Sequence, residues 1–251
     1  MSQELVHKSE KVAVVAGLSA LLLFVLDVPM GIGVQPDEIL RYEVTWNGKR
    51  AGHGDITTTG ELGRVKVVVQ AVSDGVLNAV VELWSRIQST FAPRTFMPHK
   101  YVFHLKSNVS PTEVVDLSFD PKTGLVQVNK QKGNEVESHC EKLESAYDPV
   151  TAACLLRHQP DLSRAMYVDV YDGKARARLF VTPAGTEHLT VKGGLYPAIR
   201  LRLRLVRLTG KKEDIGAATL WISDDAFRIP LLLTSSPIVG TVRFELVQVQ
   251  R

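Results

Sequence analysis

The chain has 251 residues, 45% of them hydrophobic and 23% charged, with a formal net charge of +3. These values exclude fibrous and disordered compositions and leave room for one large β domain or two ordinary ones. The charge is unevenly spread: Arg157 to Glu213 holds twelve Lys or Arg against five Asp or Glu, a net of +7, which leaves −4 for the remainder. Such a block suits an anionic partner (a lipid headgroup, a polyanionic glycan or nucleic acid) or a solvated surface that keeps strands from pairing with strangers.

The first predicted element follows Lys8 and Lys11. Val12 to Leu26 is a run of fifteen residues without a charge, ended by Asp27. A membrane span needs about 20 apolar residues, so the run suits the apolar region of a secretory signal better. Gly31 and Gly33 supply small residues for a peptidase, and cleavage is expected after Gly33. Residues 1–33 are then a signal peptide and 34–251 a single domain of the periplasm or cell envelope. Without cleavage, residues 12–34 would anchor the chain in the inner membrane, its sole membrane contact. No cysteine follows the run, which argues against a lipoprotein. Export makes Cys140 and Cys154, fourteen positions apart, a possible disulfide worth ~3 kcal/mol; the other reading is two buried thiols.

Beyond Ile39 the pattern is that of short strands. "LRYEVTW" puts Leu40, Tyr42, Val44 and Trp46 on one face and Arg41, Glu43 and Thr45 on the other, and "NGK" turns the chain back. "VKVVVQAV" follows. "GVLNAVVELWSRI" reads as a short amphipathic helix with Leu77, Val80, Val81 and Trp84 on one side. Next come the strands "KYVFHLK", "EVVDLSFD" and "LVQVNKQ", then a second helix in "DPVTAACLLRH", where Asp148 can cap and Pro149 suits the first turn. "MYVDVYDG", "ARARLFV", "EHLTVKG", "IRLRLRLVRL", "ATLWIS", "FRIPLLLT" and "GTVRFELVQV" complete the set, separated by turns such as "YDGK", "TPAG" and "KGG". The fold class is all-β: a meander of about 11–13 antiparallel strands, with one or two short helices, curled into a barrel or sandwich. No Gly, Ser or Pro-rich linker divides it.

"RLRLRL" poses the functional question. Arg200, Arg202 and Arg204 share one face, Leu201, Leu203 and Leu205 the other, and "KARARLF" does the same with Lys174, Arg176 and Arg178. If the two strands are neighbours, their basic faces combine, and arginine's planar fork suits phosphate and carboxylate. The alternative is a solvated face paired to acidic neighbours. Nucleic acid is not expected as a partner, because the chain reads as exported and lacks the aromatic interleaving of single-strand binders. Asp224 and Asp225 are the strongest enzymatic suggestion, but "SDDAFR" reads first as a turn in which aspartates accept backbone hydrogen bonds. Neither the histidine nor the cysteine spacing matches a metal site, and no nucleophile elbow or phosphate-binding glycine pattern occurs, so no catalytic residue, metal or cofactor is expected.

"LWISDDAFRIPLLLTSSPIVGTVRFELV" resembles the exported bacterial family named domain of unknown function 3108. The matching elements are Trp221, Asp224, Asp225, Arg228, Pro230 and Gly240, with a last strand ending in Glu245 and Leu246. "LRYEVTWNGKRAGHG", with Gly48 and Gly52, resembles the family's opening hairpin, and "FMPHKYVF" and "SAYDPVTAACLLR", which holds Asp148, its middle segments. The likeness covers residues 39 to 249. It implies a periplasmic or surface protein with an open or spiral antiparallel barrel, and it carries no established catalytic residue; the arginine-rich C-terminal half departs from the pattern.

Three functional readings follow. In the first, an apolar cavity lined by Tyr42, Trp46, Leu201, Leu203 and Trp221 holds a lipid, lipid-linked or other amphiphilic ligand, with Arg176, Arg178, Arg200, Arg202 and Arg204 steering its anionic head. In the second, the barrel is filled and its basic face docks an envelope protein or glycan. The third is a hydrolase using Asp224 or Asp225.

Overall fold

Period-two alternation of buried and exposed residues carries most of this structure. The computed structural model describes residues 37–61, 63–79, 81–143, 145–210, 213–236 and 240–251. The expected signal at 1–33, the alternative anchor at 12–34, Val80, and Lys211 and Lys212 of the basic block lie outside the described residues. The strands are β1 (Glu38–Trp46), β2 (Lys49–Glu61), β3 (Arg64–Ser73), β4 (Leu83–Phe91), β5 (Pro98–Ser107), β6 (Glu113–Asp120), β7 (Leu125–Lys132) and β8 (Glu135–Lys142). After the helix α1 (Pro149–Arg157) come β9 (Met166–Tyr171), β10 (Arg176–Val191), β11 (Gly194–Arg207), β12 (Asp214–Ser223), β13 (Pro230–Ser235) and β14 (Val242–Gln250).

All fourteen strands form one sheet, in the order β8-β7-β6-β5-β4-β3-β2-β1-β14-β13-β12-β11-β10-β9. Every pair is antiparallel, and β1 joins the two halves by pairing with both β2 and β14. The sheet is curved and unclosed, with β8 and β9 at its ends. The chain leaving β8 lies along the free edge of β9: Tyr147 N donates to Asp169 O at 3.0 Å and Tyr171 N to Tyr147 O at 2.9 Å. Burial raises the pKa of the Tyr171 hydroxyl, and the nearby Glu141 carboxylate of β8 raises it further. One connecting segment therefore bridges the gap that backbone pairing leaves.

That segment leads into α1, which lies in the concave interior with every residue but Leu155 buried. Asp148 caps its start, accepting from Val150 N at 2.9 Å and Thr151 N at 3.1 Å, and Ser89 of β4 donates to the same carboxylate at 2.8 Å. At the other end Arg157 reaches Glu38 of β1 at 3.4 Å and the carbonyl of Phe227. Around the helix the strands other than β8 contribute inward residues, among them Leu40, Val67, Ile87, Tyr101, Leu117, Leu201 and Leu246, all at most 2% exposed. Burial of each such side chain stabilises the fold by about 1.5–3 kcal/mol.

Two expectations are corrected. The stretch from Gly75 is a turn followed by β4, not an amphipathic helix: Leu83, Ser85, Ile87, Ser89 and Phe91 face inward at strand spacing, with Trp84 on the opposite side. "TPAG" is not a turn either. The ladder runs through it with one irregularity between Pro183 and Thr186, so "ARARLFV" and "EHLTVKG" are parts of the same strand.

Candidate functional site

β10 and β11 are neighbours, so their basic faces do combine on the outside of the sheet. Phe180 lies opposite Arg204 and Thr182 opposite Arg202, while Trp221 and Thr219 of β12 oppose Arg200 and Arg202. Leu201, Leu203 and Leu205 point into the interior and are buried. Most of these arginines have acidic neighbours. Arg178 forks onto Asp169 of β9 at 2.7 and 3.0 Å, a bond that raises its pKa further, and its guanidinium lies 4.2 Å from the ring of Tyr167. Arg204 sits 5.1 Å over Phe180 and 3.8 Å from Asp214. Arg200 is 3.5 Å from Glu187 and donates to Ala184 O at 2.9 Å. Arg202, exposed at the centre of the row, has no hydrogen bond or ion pair with any described residue. Arg176 opens the same face at the head of β10.

Tyr167, Phe180 and Trp221 stand among these arginines. The aromatic interleaving that is missing along the chain is thus made across four strands. Trp221, expected to line the interior, lies on this outer face, because its neighbours Leu220 and Ile222 take the inward positions of β12. Its indole N–H donates to Glu187 at 2.7 Å. Glu187 belongs to an arm, the far part of the β10–β11 hairpin, which extends beyond β12 to reach β14. There Gly193 N donates to Leu246 O at 2.9 Å, Lys192 N to Glu245 at 2.9 Å, and the Lys192 ammonium pairs with Glu43.

Among the described residues the interior around α1 is packed with side chains. Beside α1, between Ala153, Leu156, Leu179, Leu201, Leu203 and Leu220, about 20 Å³ remains, space for a water at most. Tyr42 is inside, as expected, and its hydroxyl donates to Pro230 O at 2.8 Å. Trp46 is only half-buried, because the register shift between Val44 and Thr45 breaks the alternation that would have carried it inward.

The pattern residues of the C-terminal stretch have structural tasks. Asp225 accepts from Ser223 Oγ at 2.8 Å and from the backbone N–H groups of Phe227 and Arg228, each at 2.9 Å. Asp224 is exposed beside it, and its backbone N–H donates to Pro197 O. The two carboxylates therefore do not converge on a shared site. Gly240 passes so close to Trp46 and Asn47 that a Cβ there would lie within 2.6 Å of both side chains. The cysteines are free thiols, which corrects the disulfide reading: Cys140 is exposed on β8 and Cys154 is wholly buried in α1, where burial raises its pKa. Among the described residues no group of three or more His, Cys, Asp or Glu is placed to hold a metal ion, and no helix is long and apolar enough to cross a membrane.

No curated protein matches the chain. A β-barrel-like protein of domain of unknown function DUF1849 from Brucella abortus shares the fold, with a TM-score of 0.60 over 85% of this chain and 97% of that chain at 11% identity. A candidate exported protein with a YmcC-like fold from Bacteroides fragilis gives a TM-score of 0.40 at 8% identity, covering 89% of this chain and 100% of that one. A candidate lipoprotein from Parabacteroides distasonis gives 0.39 at 10% identity, covering 90% and 98%. The family described as protein of unknown function (DUF3108) matches residues 41–247, and the chain, with its open barrel, helix plug and structural C-terminal turn, belongs to that family.

Proposed function

We propose that this chain is a non-enzymatic, exported protein of the cell envelope that docks a phosphate- or carboxylate-bearing lipid headgroup or glycan on the outer face of β9–β12, with its barrel filled by α1. The observation that carries the reading is Arg202, an exposed cation without a partner among the described residues, flanked by Arg200 and Arg204, whose carboxylate contacts are long and solvent-exposed. Exposed ion pairs of this kind are weak and exchange readily for a better anion. Tyr167, Phe180 and Trp221 add the flat apolar area that arginine-rich recognition surfaces use. Export is supported by the charge-free run at Val12–Leu26. A cavity for an amphiphile is less well supported: small-molecule sites occupy about 300–1,000 Å³, far more than remains beside α1.

The test uses the full-length chain with three probes: vesicles containing phosphatidylglycerol, vesicles of phosphatidylcholine alone, and a soluble polyanionic glycan. Binding to one of the anionic probes, lost in Arg202→Glu and weakened by salt, is the expected result. Equal binding to the neutral vesicles, or binding unchanged in Arg202→Glu, overturns it. An amphiphile that co-purifies, is visible in native mass spectra and survives the substitution would return the cavity reading to first place.

A further inference from the structure

A second outer-face feature lies far from the arginine row, where β3, β4 and β5 begin or end. A groove of about 450 Å³ is lined by Ser73, Asn78, Glu82, Trp84, Lys106 and Asn108, with Val72 and Leu83 at its base. Trp84 forms its aromatic wall, and the Lys106 ammonium stands 5.4 Å from the ring centre.

The hydrogen bonds that build the groove fix which polar atoms are left over. The backbone N–H of Glu82 donates to Asn108 at 3.0 Å; an N–H can only donate, so Asn108 must turn its carbonyl oxygen there and keep its NH₂ free. The backbone N–H of Leu83 donates to Ser73 Oγ at 2.8 Å, and the Ser73 hydroxyl donates in turn to Asn78 Oδ1 at 2.5 Å. Asn78 is left with its NH₂ in the same way. Two carboxamides are thus locked by their oxygens, each with two N–H donors to spare. The Glu82 carboxylate has no hydrogen bond or ion pair with any described residue, and Lys106 has only the indole.

We infer that this groove is a saccharide site, selective for a sugar carrying an acetamido group. The indole offers a flat apolar surface to the C–H face of a pyranose. The Asn78 and Asn108 NH₂ groups and the Lys106 ammonium donate to ring hydroxyls and to the acetamido carbonyl, and Glu82 accepts the acetamido N–H. Polar groups held in place before binding lose little entropy when the ligand arrives, and the volume takes one or two sugar units. The site is independent of the arginine face and stands whether or not that face docks an anion.

The full-length chain, kept in a detergent without a sugar headgroup, is titrated with di-N-acetylchitobiose and with cellobiose, which has the same kind of skeleton without acetamido groups. Heats are recorded together with the indole N–H resonances of the three tryptophans. Expected are a dissociation constant on the order of 1 mM for the acetamido sugar, a moving Trp84 resonance and a still Trp221 resonance. Trp84→Leu and the surface change Glu82→Ala each weaken binding by about tenfold, and Trp221→Phe changes nothing. No heat and no shift with either sugar, or binding equal to wild type in both groove variants, overturns the site. Cellobiose binding as tightly as di-N-acetylchitobiose overturns the acetamido assignment.

Discussion

Ser89 on β4 and Asp148 at the head of α1 are hydrogen-bonded at 2.8 Å, both wholly buried. The bond ties the helix plug to the sheet from within. At the opposite end of α1, Arg157 and Glu38 do the same with a charged pair, so the plug is held at both ends by carboxylates that solvent does not reach. Apolar packing around a helix tolerates sliding; two directional polar anchors fix its position along the barrel.

The Asp148 anchor is pH-sensitive. Burial raises its pKa from 3.8 to about 6, against the opposing pull of its hydrogen bonds from Thr151, Ser89 and Val150. A folded-state pKa above the unfolded one means that the native chain takes this proton first as pH falls, so the site adds stability between pH 6 and pH 4 and loses it as pH rises. Asp148→Asn keeps the capping oxygen and removes the titration. Urea unfolding of both proteins should show wild type gaining about 2 kcal/mol on Asp148→Asn between roughly pH 6.5 and pH 4.5. The comparison cancels the opposing effect of His99 and His158, whose burial lowers their pKa values. A pH-independent difference would mean that the carboxylate is not desolvated.

The Arg157–Glu38 pair should behave as a unit. Both side chains are at most 3% exposed, and Glu38 also receives Arg251 at 2.8 Å. Arg157→Met leaves Glu38 ionised in the interior with one partner removed, and a loss of about 3 kcal/mol is expected. Glu38→Gln in the same chain removes the charge that was stranded, so the double variant should recover a substantial part of that loss. Additive losses in a denaturant double-mutant cycle would show that the pair is not coupled.

Local rules read the simple elements correctly. "RLRLRL" is β11 with its leucines inside, and "DPVTAACLLR" is α1 with Asp148 as cap. What the sequence hid has physical causes. The sequence before and within β4 mimics a helix because Leu77, Val81 and Trp84 fall at helical spacing, although a turn separates the first of them from the strand. β8, "EVESHCEK", has no buried face to give it a signature and is held by its ladder to β7. The acidic partners of the arginines, Asp169, Glu187 and Asp214, come from three different strands. Their meeting depends on register, which no local pattern encodes. The amphipathic-helix reading puts Trp84 on an apolar helix side, and the groove it borders does not show in the sequence.

The opening hairpin separates two uses of glycine. Gly48 has φ +75° in a turn with open space where a Cβ would go, whereas at Gly52 an added Cβ would lie 2.5 Å from the Val72 carbonyl of β3. Gly48→Ala is a matter of backbone strain alone, about 1 kcal/mol. Gly52→Ala must push β2 off β3 and should cost about 3 kcal/mol. Thermal midpoints in the reverse order would mean that the β2–β3 ladder can relax locally.

Thiol chemistry tests the interior directly. Cys140 is exposed on the edge strand, its Sγ 2.8 Å from Gln127 Oε1, while Cys154 sits in α1 with no exposed surface and a thiol pKa pushed well up by burial. Thiolate is the reactive form, so both access and ionisation protect Cys154. Alkylation of the native chain near pH 8 should modify Cys140 within minutes and leave Cys154 untouched until urea unfolds the protein, as peptide mass spectrometry would show. Oxidation of the native chain should leave the two sulfurs unbridged. Rapid labelling of Cys154 under native conditions would mean that α1 leaves the barrel readily, and the interior would then be open to an amphiphile after all.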